Sequence, residues 1–256
     1  MERREFFERA KAIVQKSLKK KDRLIVNAVH TVDDLNKEIN QLSERLKDWY
    51  GISFPELESL FPDPEKYASI VLALEKNEKE QLLKLTSEEK LNQIFDARKD
   101  SLGAEITEND KKPILDLAKS ILSTVELRSR VESYLESLCN ELCPNVSYLC
   151  GPLLTARLLA IAGGLEELAE MPASTIQVLG AEKALFKHIK RGSPPPKHGL
   201  LFQHPIISGA SKEKRGKIAR ALSAKIAIAA KADAFTHHFI ADKLKADLEK
   251  RLSEIK

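Results

Sequence analysis

Between Thr107 and Leu142 the chain reads TENDKKPILDLAKSILSTVELRSRVESYLESLCNEL. Ile114, Ala118, Ile121, Val125, Leu135, Leu138 and Leu142 return in it at helical steps, with Arg128 and Glu132 interrupting the middle of the series. A seam of that period belongs to one long helix that must lay its apolar stripe against another helix. At 1.5 Å per residue it would run about 50 Å. This stretch sets the fold class as all-α.

Working outward, Leu24 to Tyr50 places Val26, Val29, Val32, Leu35, Ile39, Leu42 and Leu46 on one helical face, and Gly51 ends it as a residue free to turn left-handed. Ser53 to Pro64 carries Pro55, Pro62 and Pro64 and reads as a connection with at most a turn or two of helix. Pro64 to Lys99 reads as a second long helix, joined to Thr107–Leu142 through a short segment containing Gly103. The expectation is a long antiparallel helical hairpin of coiled-coil type. Such a hairpin cannot bury its own stripe completely, so its tip is expected to pair with a second copy or a partner. The alternative is that these are helices of one globular bundle.

The texture changes after Cys143-Pro144. Leu153–Ile161 is an apolar helix, Leu165–Glu170 a short one, Leu179–Lys190 a turn entering a short helix, Gly192–Gly199 a proline-rich loop, and Ser211–Leu252 one or two helices. The domains expected are therefore residues 1–23 as a short N-terminal segment, 24–143 as the helical coiled-coil unit, and 144–256 as a compact helical domain of ordinary size.

Composition narrows the function classes. Of 256 residues, 31% are charged, 43% hydrophobic and 5% aromatic, with 10 Gly, a balance that disfavours an all-β barrel or sandwich. No apolar stretch approaches the roughly 20 residues that cross a bilayer, and Met1 to Lys11 lacks the apolar core of a signal peptide. Cys139, Cys143 and Cys150 make no disulfide framework, and His188 lies too far downstream for a zinc spacing, so these cysteines read as helix-packing residues and no metal is expected.

The net charge of +4 conceals an asymmetry. Gly180 to Lys225 holds eleven basic residues against two acidic ones, Glu182 and Glu213, a local balance of +9 that leaves −5 for the remainder. Positive charge concentrated in this way points to a polyanion, most often nucleic acid. In Lys214–Lys231 the residues Lys214, Lys217, Arg220, Lys225 and Lys231 fall within one arc, and no acid stands between Glu213 and Asp233 to pair with them. The loop Gly192–Gly199 holds three consecutive prolines that stiffen it and present Lys197 and His198 to a phosphate or an unpaired base. A rigid surface turn with an idle histidine is the other reading. Gly180-Ala181-Glu182-Lys183 opens a helix; its free backbone N–H groups suit a phosphate, while Glu182 and Lys183 equally suit a protein partner. With only two acids in the basic stretch, a metal-dependent or acid–base nucleic-acid-processing enzyme is disfavoured.

Together, Ile176 to Phe186 with its Gly-Ala-Glu-Lys turn, Pro196-Lys197-His198-Gly199 followed by His204-Pro205, Arg215-Gly216-Lys217-Ile218-Ala219-Arg220, and Ala229 to Asp233 resemble the Nop domain in order and spacing. Asp33–Asn40, Glu44–Gly51 and Phe54–Leu57 resemble the segment preceding the coiled coil in that family. The resemblance covers roughly Leu24 to Phe239. It implies a non-catalytic scaffold of box C/D ribonucleoproteins, which guide ribose 2′-O-methylation of RNA. Its partners would be a box C/D guide RNA with a kink-turn, the small ribosomal-type protein bound to that kink-turn, and fibrillarin, which carries the methyltransferase activity and uses S-adenosylmethionine. Self-association would run through the coiled coil.

By the same resemblance Gly180, Ala181, Glu182 and Lys183 would meet the kink-turn protein and nearby RNA backbone. Lys197 and His198 would reach the RNA stem, and Arg215, Lys217 and Arg220 would hold phosphates. Lys187, Lys190, Arg191 and Lys225 are added on charge alone. No cofactor and no catalytic residue are implied. About 25 residues stand where family members carry an α/β domain on which fibrillarin docks, so the sequence is either a piece of a longer chain or a naturally shortened member, and no lysine-rich tail follows Lys256; an archaeal and cytoplasmic member is expected, nucleolar if eukaryotic. A splicing-type factor with the same domain, or a coiled-coil adaptor that does not bind RNA, are the alternatives.

Overall fold

The computed structural model describes residues 21–76 and 78–255, so the N-terminal segment read as 1–23 lies almost wholly outside them. Among the described residues the regular elements are all helical. They form two compact units, Thr31–Val131 and a second made of residues 21–30 with 132–255.

The first unit contains most of α1 (Asp22–Tyr50), then α2 (Leu57–Leu60), α3 (Pro64–Glu75), α4 (Lys79–Leu85), α5 (Glu88–Lys99) and the first two-thirds of α6 (Glu108–Leu142). The seam read from the sequence is the buried one: Ile114, Ala118, Ile121 and Val125 of α6 share a core cluster with Ile39, Leu46 and Tyr50 of α1. Arg128, where the seam is interrupted, donates to Asn36 Oδ1 across the helix pair at 3.0 Å. At the other end of the pair Tyr50 and Lys111 meet at one carboxylate, so the two helices run antiparallel.

The arm opposite α6 is therefore α1, and the expected single helix over Pro64–Lys99 is three helices instead. One side-chain cap sets the start of this run and a second accounts for the break before α5. Asp63 accepts from Lys66 N at 3.0 Å and starts α3; Ser87 accepts from Lys90 N at 3.4 Å and starts α5. An Asp or Ser that satisfies an orphan helix N–H competes with continuing the preceding helix. The short helices fold over α1 and α6 and bury Phe54, Leu57, Phe61, Tyr67, Ile70, Leu82 and Ile94 in the same cluster, each such side chain contributing about 1.5–3 kcal/mol.

Inside this unit the Glu75 carboxyl, 6% exposed, accepts from the Tyr50 hydroxyl at 3.0 Å and pairs with Lys111 at 3.1 Å and Arg98 at 3.4 Å. Burial first, and the Glu75 charge second, push the Tyr50 phenol well above its ordinary range. The link between α5 and α6 is tied back to the connection before α2. Glu56 accepts from Leu102 N at 2.9 Å and Ser101 Oγ at 2.7 Å, which holds its carboxyl below the usual range. A Cβ on Gly103 would stand 1.9 Å from Ser53 O, so the close approach requires glycine. At the start of α6, Thr107 and Asp110 cap each other's backbone N–H reciprocally.

The second unit comprises α7 (Pro144–Cys150), α8 (Pro152–Ala162), α9 (Leu165–Glu170), α10 (Ala173–Val178), α11 (Glu182–Arg191), a 3₁₀ turn at Leu200–Gln203, α12 (Pro205–Ser208), α13 (Arg215–Lys231), a π turn at Ala232–Thr236 and α14 (Ala241–Ile255). Helix α13 is its axis. Ile218, Ala219, Leu222, Ser223, Ile226, Ala227, Ala229 and Ala230 face inward, and the alanines let α9, α10, α7 and α14 close on it. The short helix α10, absent from the sequence reading, follows Pro172 and buries Ile176.

Although the texture of the sequence changes at Cys143-Pro144, the start of α1 and the end of α6 pack with the C-terminal helices. Asp22 accepts from Leu165 N at 3.0 Å, capping α9, and Cys139 Sγ lies 3.6 Å from Pro152 O. Cys139 and Cys143 are buried and unbridged, and among the described residues no cluster of His, Cys, Asp and Glu is built to hold a metal. Asp233 accepts from the backbone N–H of Asn145 and Val146 and from Asn145 Nδ2, while Asn145 Oδ1 accepts from Ile240 N. This buried clamp fixes the segment between α13 and α14 to α7.

Candidate nucleic-acid interface

The site is assembled on α10, α13 and the loop between α11 and α12. The proline loop is strapped down by its own backbone: Gly199 N donates to Gln177 O at 3.0 Å and Leu200 N to Leu179 O at 2.8 Å. A Cβ on Gly199 would approach Leu179 O to 2.0 Å, so the strap depends on glycine. Gln177 Nε2 adds a bond to Lys197 O at 2.8 Å. Lys197 then lies over the first turn of α13, its stem 3.5 Å from where a Cβ on Gly216 would stand. The loop is thus held at its tip by neighbours as well as stiffened by Pro194, Pro195 and Pro196.

This packing brings Lys197, Lys217 and Arg220 around one cavity of about 620 Å³, walled by Val178, Leu185, Pro195 and Pro196 and edged by Ser174, Thr175, Gln177 and Glu213. Lys217 and Arg220 also border a second hollow of about 420 Å³ toward α14. They form a cationic ridge between the two. All three cations are solvent-exposed and none forms an ion pair among the described residues.

The other residues read from the sequence are placed differently. Lys225, on the same stripe, pairs with Asp247 of α14 at 3.0 Å; this acid lies far along the chain, beyond any helical spacing. Arg215 is committed largely to the protein, donating from Nε to Ala210 O at 2.9 Å and from Nη2 to Ser208 O at 3.2 Å, with its guanidinium 5.1 Å from the Phe202 ring centre. His198 stacks on Phe202 at 4.7 Å and 13°, so one ring face is already covered. Burial, then the charges of Arg215 and Lys197, hold its imidazole below the ordinary range, which makes it neutral at physiological pH. Phe202 and Gln177 were not signalled by the sequence, since both act through partners brought near only by folding.

The Gly180 turn has φ +84°, and Glu182 accepts from Gly180 N at 2.7 Å, closing the turn ahead of α11. Helix α11 buries none of its residues; Phe186 is 61% and Ile189 70% exposed, beside Lys183, Lys187, Lys190 and Arg191. Lys190 Nζ lies 5.9 Å from the Phe186 ring centre. None of Lys187, Lys190 or Arg191 lines the cavity. His204, by contrast, is structural: Nδ1 accepts from Ile206 N at 3.2 Å and Nε2 faces Leu149 O at 3.1 Å, a pattern that assigns the proton to Nε2.

Comparisons with known proteins identify the family. The Nop family model, described as a snoRNA binding domain and associated with fibrillarin, matches residues 31–254. A NOP5 family protein of Methanocaldococcus jannaschii is 45% identical over 252 residues, covering 97% of this chain and 61% of its own. Nucleolar protein 58 of Lodderomyces elongisporus is 40% identical over 222 residues, covering 86% of this chain and 43% of its own. The Saccharomyces cerevisiae protein of that name is 38% identical over 247 residues, 93% of this chain and 48% of its own. The chain spans about half the length of these nucleolar relatives. A crystal structure of a fibrillarin/Nop5p complex superposes with a TM-score of 0.57 at 28% identity, covering 96% of this chain and 74% of the other. The chain belongs to the Nop family.

Proposed function

We propose that the protein is a non-catalytic scaffold of a box C/D ribonucleoprotein that guides RNA ribose 2′-O-methylation. The observation that carries this reading is the convergence of Lys197, Lys217 and Arg220, without carboxylate partners among the described residues, on one concave face of a Nop-family chain. Phosphates bind such a ridge by direct charge contact and by release of counterions. Lys187, Lys190 and Arg191 extend the field along α11, and Arg215 orders the loop through Phe202 as well as adding charge.

The RNA is a kink-turn already shaped by a small ribosomal-type protein. Support for a composite partner comes from α11, whose unburied Phe186 and Ile189 beside the Gly180–Lys183 turn offer an apolar contact that RNA does not need. Fibrillarin is the methyltransferase partner, by analogy with the fibrillarin/Nop5p complex that the fold resembles. Self-association through the α1–α6 helical pair would present two such faces on one assembly and raise the effective concentration of the second RNA contact. A cytoplasmic archaeal member is the setting we favour, given the Methanocaldococcus relative.

Gel-shift titration on a box C/D kink-turn RNA, with and without the kink-turn protein prebound and at two salt concentrations, tests this. A shift that needs the prebound protein and fades with salt is expected. A shift by RNA alone that ignores salt, or none at all, contradicts it and leaves a coiled-coil adaptor as the better account.

A further inference from the structure

The cavity beneath Lys197 has more chemistry than phosphate binding requires. Its volume of about 620 Å³ falls in the range of small-molecule sites, about 300–1,000 Å³. Val178, Leu185, Pro195 and Pro196 supply apolar walls suited to the faces of a planar ring, and the cations stand at its border. Amid that positive charge the cavity is also lined by a carboxylate, Glu213, which forms no ion pair among the described residues. A site for phosphate alone would not carry it, because it weakens the field the lysines create.

A carboxylate only accepts hydrogen bonds, and does so with two oxygens side by side. Among the RNA bases, guanine presents two adjacent donors on its pairing edge, N1–H and the N2 amino group. Adenine and cytosine offer an amino donor next to a ring acceptor, and uracil offers one N–H between two carbonyls. Unpaired bases of RNA are commonly read on these edges while their faces pack on side chains. We infer that this cavity takes an unpaired guanine from the bound RNA, with Glu213 accepting from its N1–H and N2 amino group, the apolar walls covering the ring, and Lys197, Lys217 and Arg220 holding the flanking phosphates. The inference rests on the RNA-scaffold reading above and deepens it, adding base selectivity to a backbone grip.

The test is a selection followed by sequencing. The full chain, with the kink-turn protein, is offered a library of kink-turn stems capped by a random unpaired loop, and the Glu213→Gln variant is offered the same library. Wild type should enrich guanine about tenfold at one loop position, in line with the discrimination of a good bidentate base contact, and Glu213→Gln should lose that enrichment while still retaining RNA. Replacing the selected guanine by inosine, which lacks the N2 amino group, should weaken binding to wild type more than to Glu213→Gln. Retention of RNA with no base preference in wild type overturns the guanine site and leaves the scaffold reading standing. Weaker assembly of Glu213→Gln on every loop alike also overturns it, and assigns Glu213 to a basic side chain of the partner protein. Failure to retain any RNA removes the scaffold reading itself and the guanine site with it.

Discussion

The unit Thr31–Val131 and the stretch Gly180–Lys225 both carry basic side chains on helix surfaces, but they hold them in opposite ways. In the first, lysines and arginines face acids one helical turn away: Lys37 with Asp34, Arg45 with Asp48, Lys99 with Asp96, Lys111 with Glu108 and Lys119 with Asp116. In the second, Lys183, Lys187, Lys197, Lys217 and Arg220 are exposed and form no ion pair among the described residues. Paired surface charges add little to stability and nearly cancel at a distance, whereas unpaired ones sum into a field that reaches a ligand. On the function proposed above, the difference marks Gly180–Lys225 rather than Thr31–Val131 as the RNA-binding face.

Removing the ridge should have the largest effect. Lys217→Ala with Arg220→Ala is expected to weaken assembly on kink-turn RNA by about 100-fold, as two phosphate contacts are lost, with the melting temperature unchanged. The measurements are a gel shift and a thermal melt; a fold that collapses with the affinity would break the comparison. Glu75→Ala should do the reverse. It strips the partner from the Tyr50 hydroxyl, Lys111 and Arg98 in the interior of the unit Thr31–Val131, and should cost about 2–4 kcal/mol in urea denaturation while RNA affinity of the folded protein stays as it was.

Asp247→Ala sharpens the contrast within the cationic stripe itself. It releases Lys225 from its carboxylate and should strengthen RNA binding about twofold, whereas Lys225→Ala should weaken binding less than Arg220→Ala does. Equal losses at Lys225 and Arg220 would mean that intramolecular pairing does not decide which cations bind.

The smallest expected effect is on pH. The fold lowers the His198 pKa, so the stability tied to its neutral form is present above the ordinary imidazole value and is lost as pH falls through the lowered one. Bound phosphates offset the charges of Arg215 and Lys197 and favour its protonation, so binding takes up a proton and affinity should rise modestly from about pH 8 to about pH 6. Fluorescence anisotropy on wild type and His198→Gln checks this; the variant should lose the slope.

The parts of this architecture legible in the sequence are those carried by periodicity and local charge. Most of the α6 seam and the α1 face is buried as its spacing requires, with Val26, Leu42 and Leu142 only half-buried, because a helix buries what its own sequence repeats every three or four residues. The cationic run of α13 and the stiff loop were visible for the same reason: their chemistry is contiguous. Most of what stayed hidden depends on partners remote in sequence. The Gln177–Lys197 strap aims the loop, Phe202 occupies the His198 ring, and Asp247 neutralises Lys225. The Ser87 cap that divides the run before α5 is local, but a single serine stands there against an otherwise continuous apolar pattern. Glu213 was visible as one of two acids in a basic stretch, but its place at the cavity follows only once α10 and the loop close around it.

The most direct test of the account is the salt dependence of assembly, measured as affinity against ionic strength for wild type, for Lys217→Ala with Arg220→Ala, and for Lys37→Ala with Lys119→Ala. Each lost phosphate contact lowers the logarithmic slope by about one. The ridge variant should lose about two from the slope and the Lys37 and Lys119 variant none; equal slopes in all three proteins would contradict the claim that unpaired charge in Gly180–Lys225 makes the binding face.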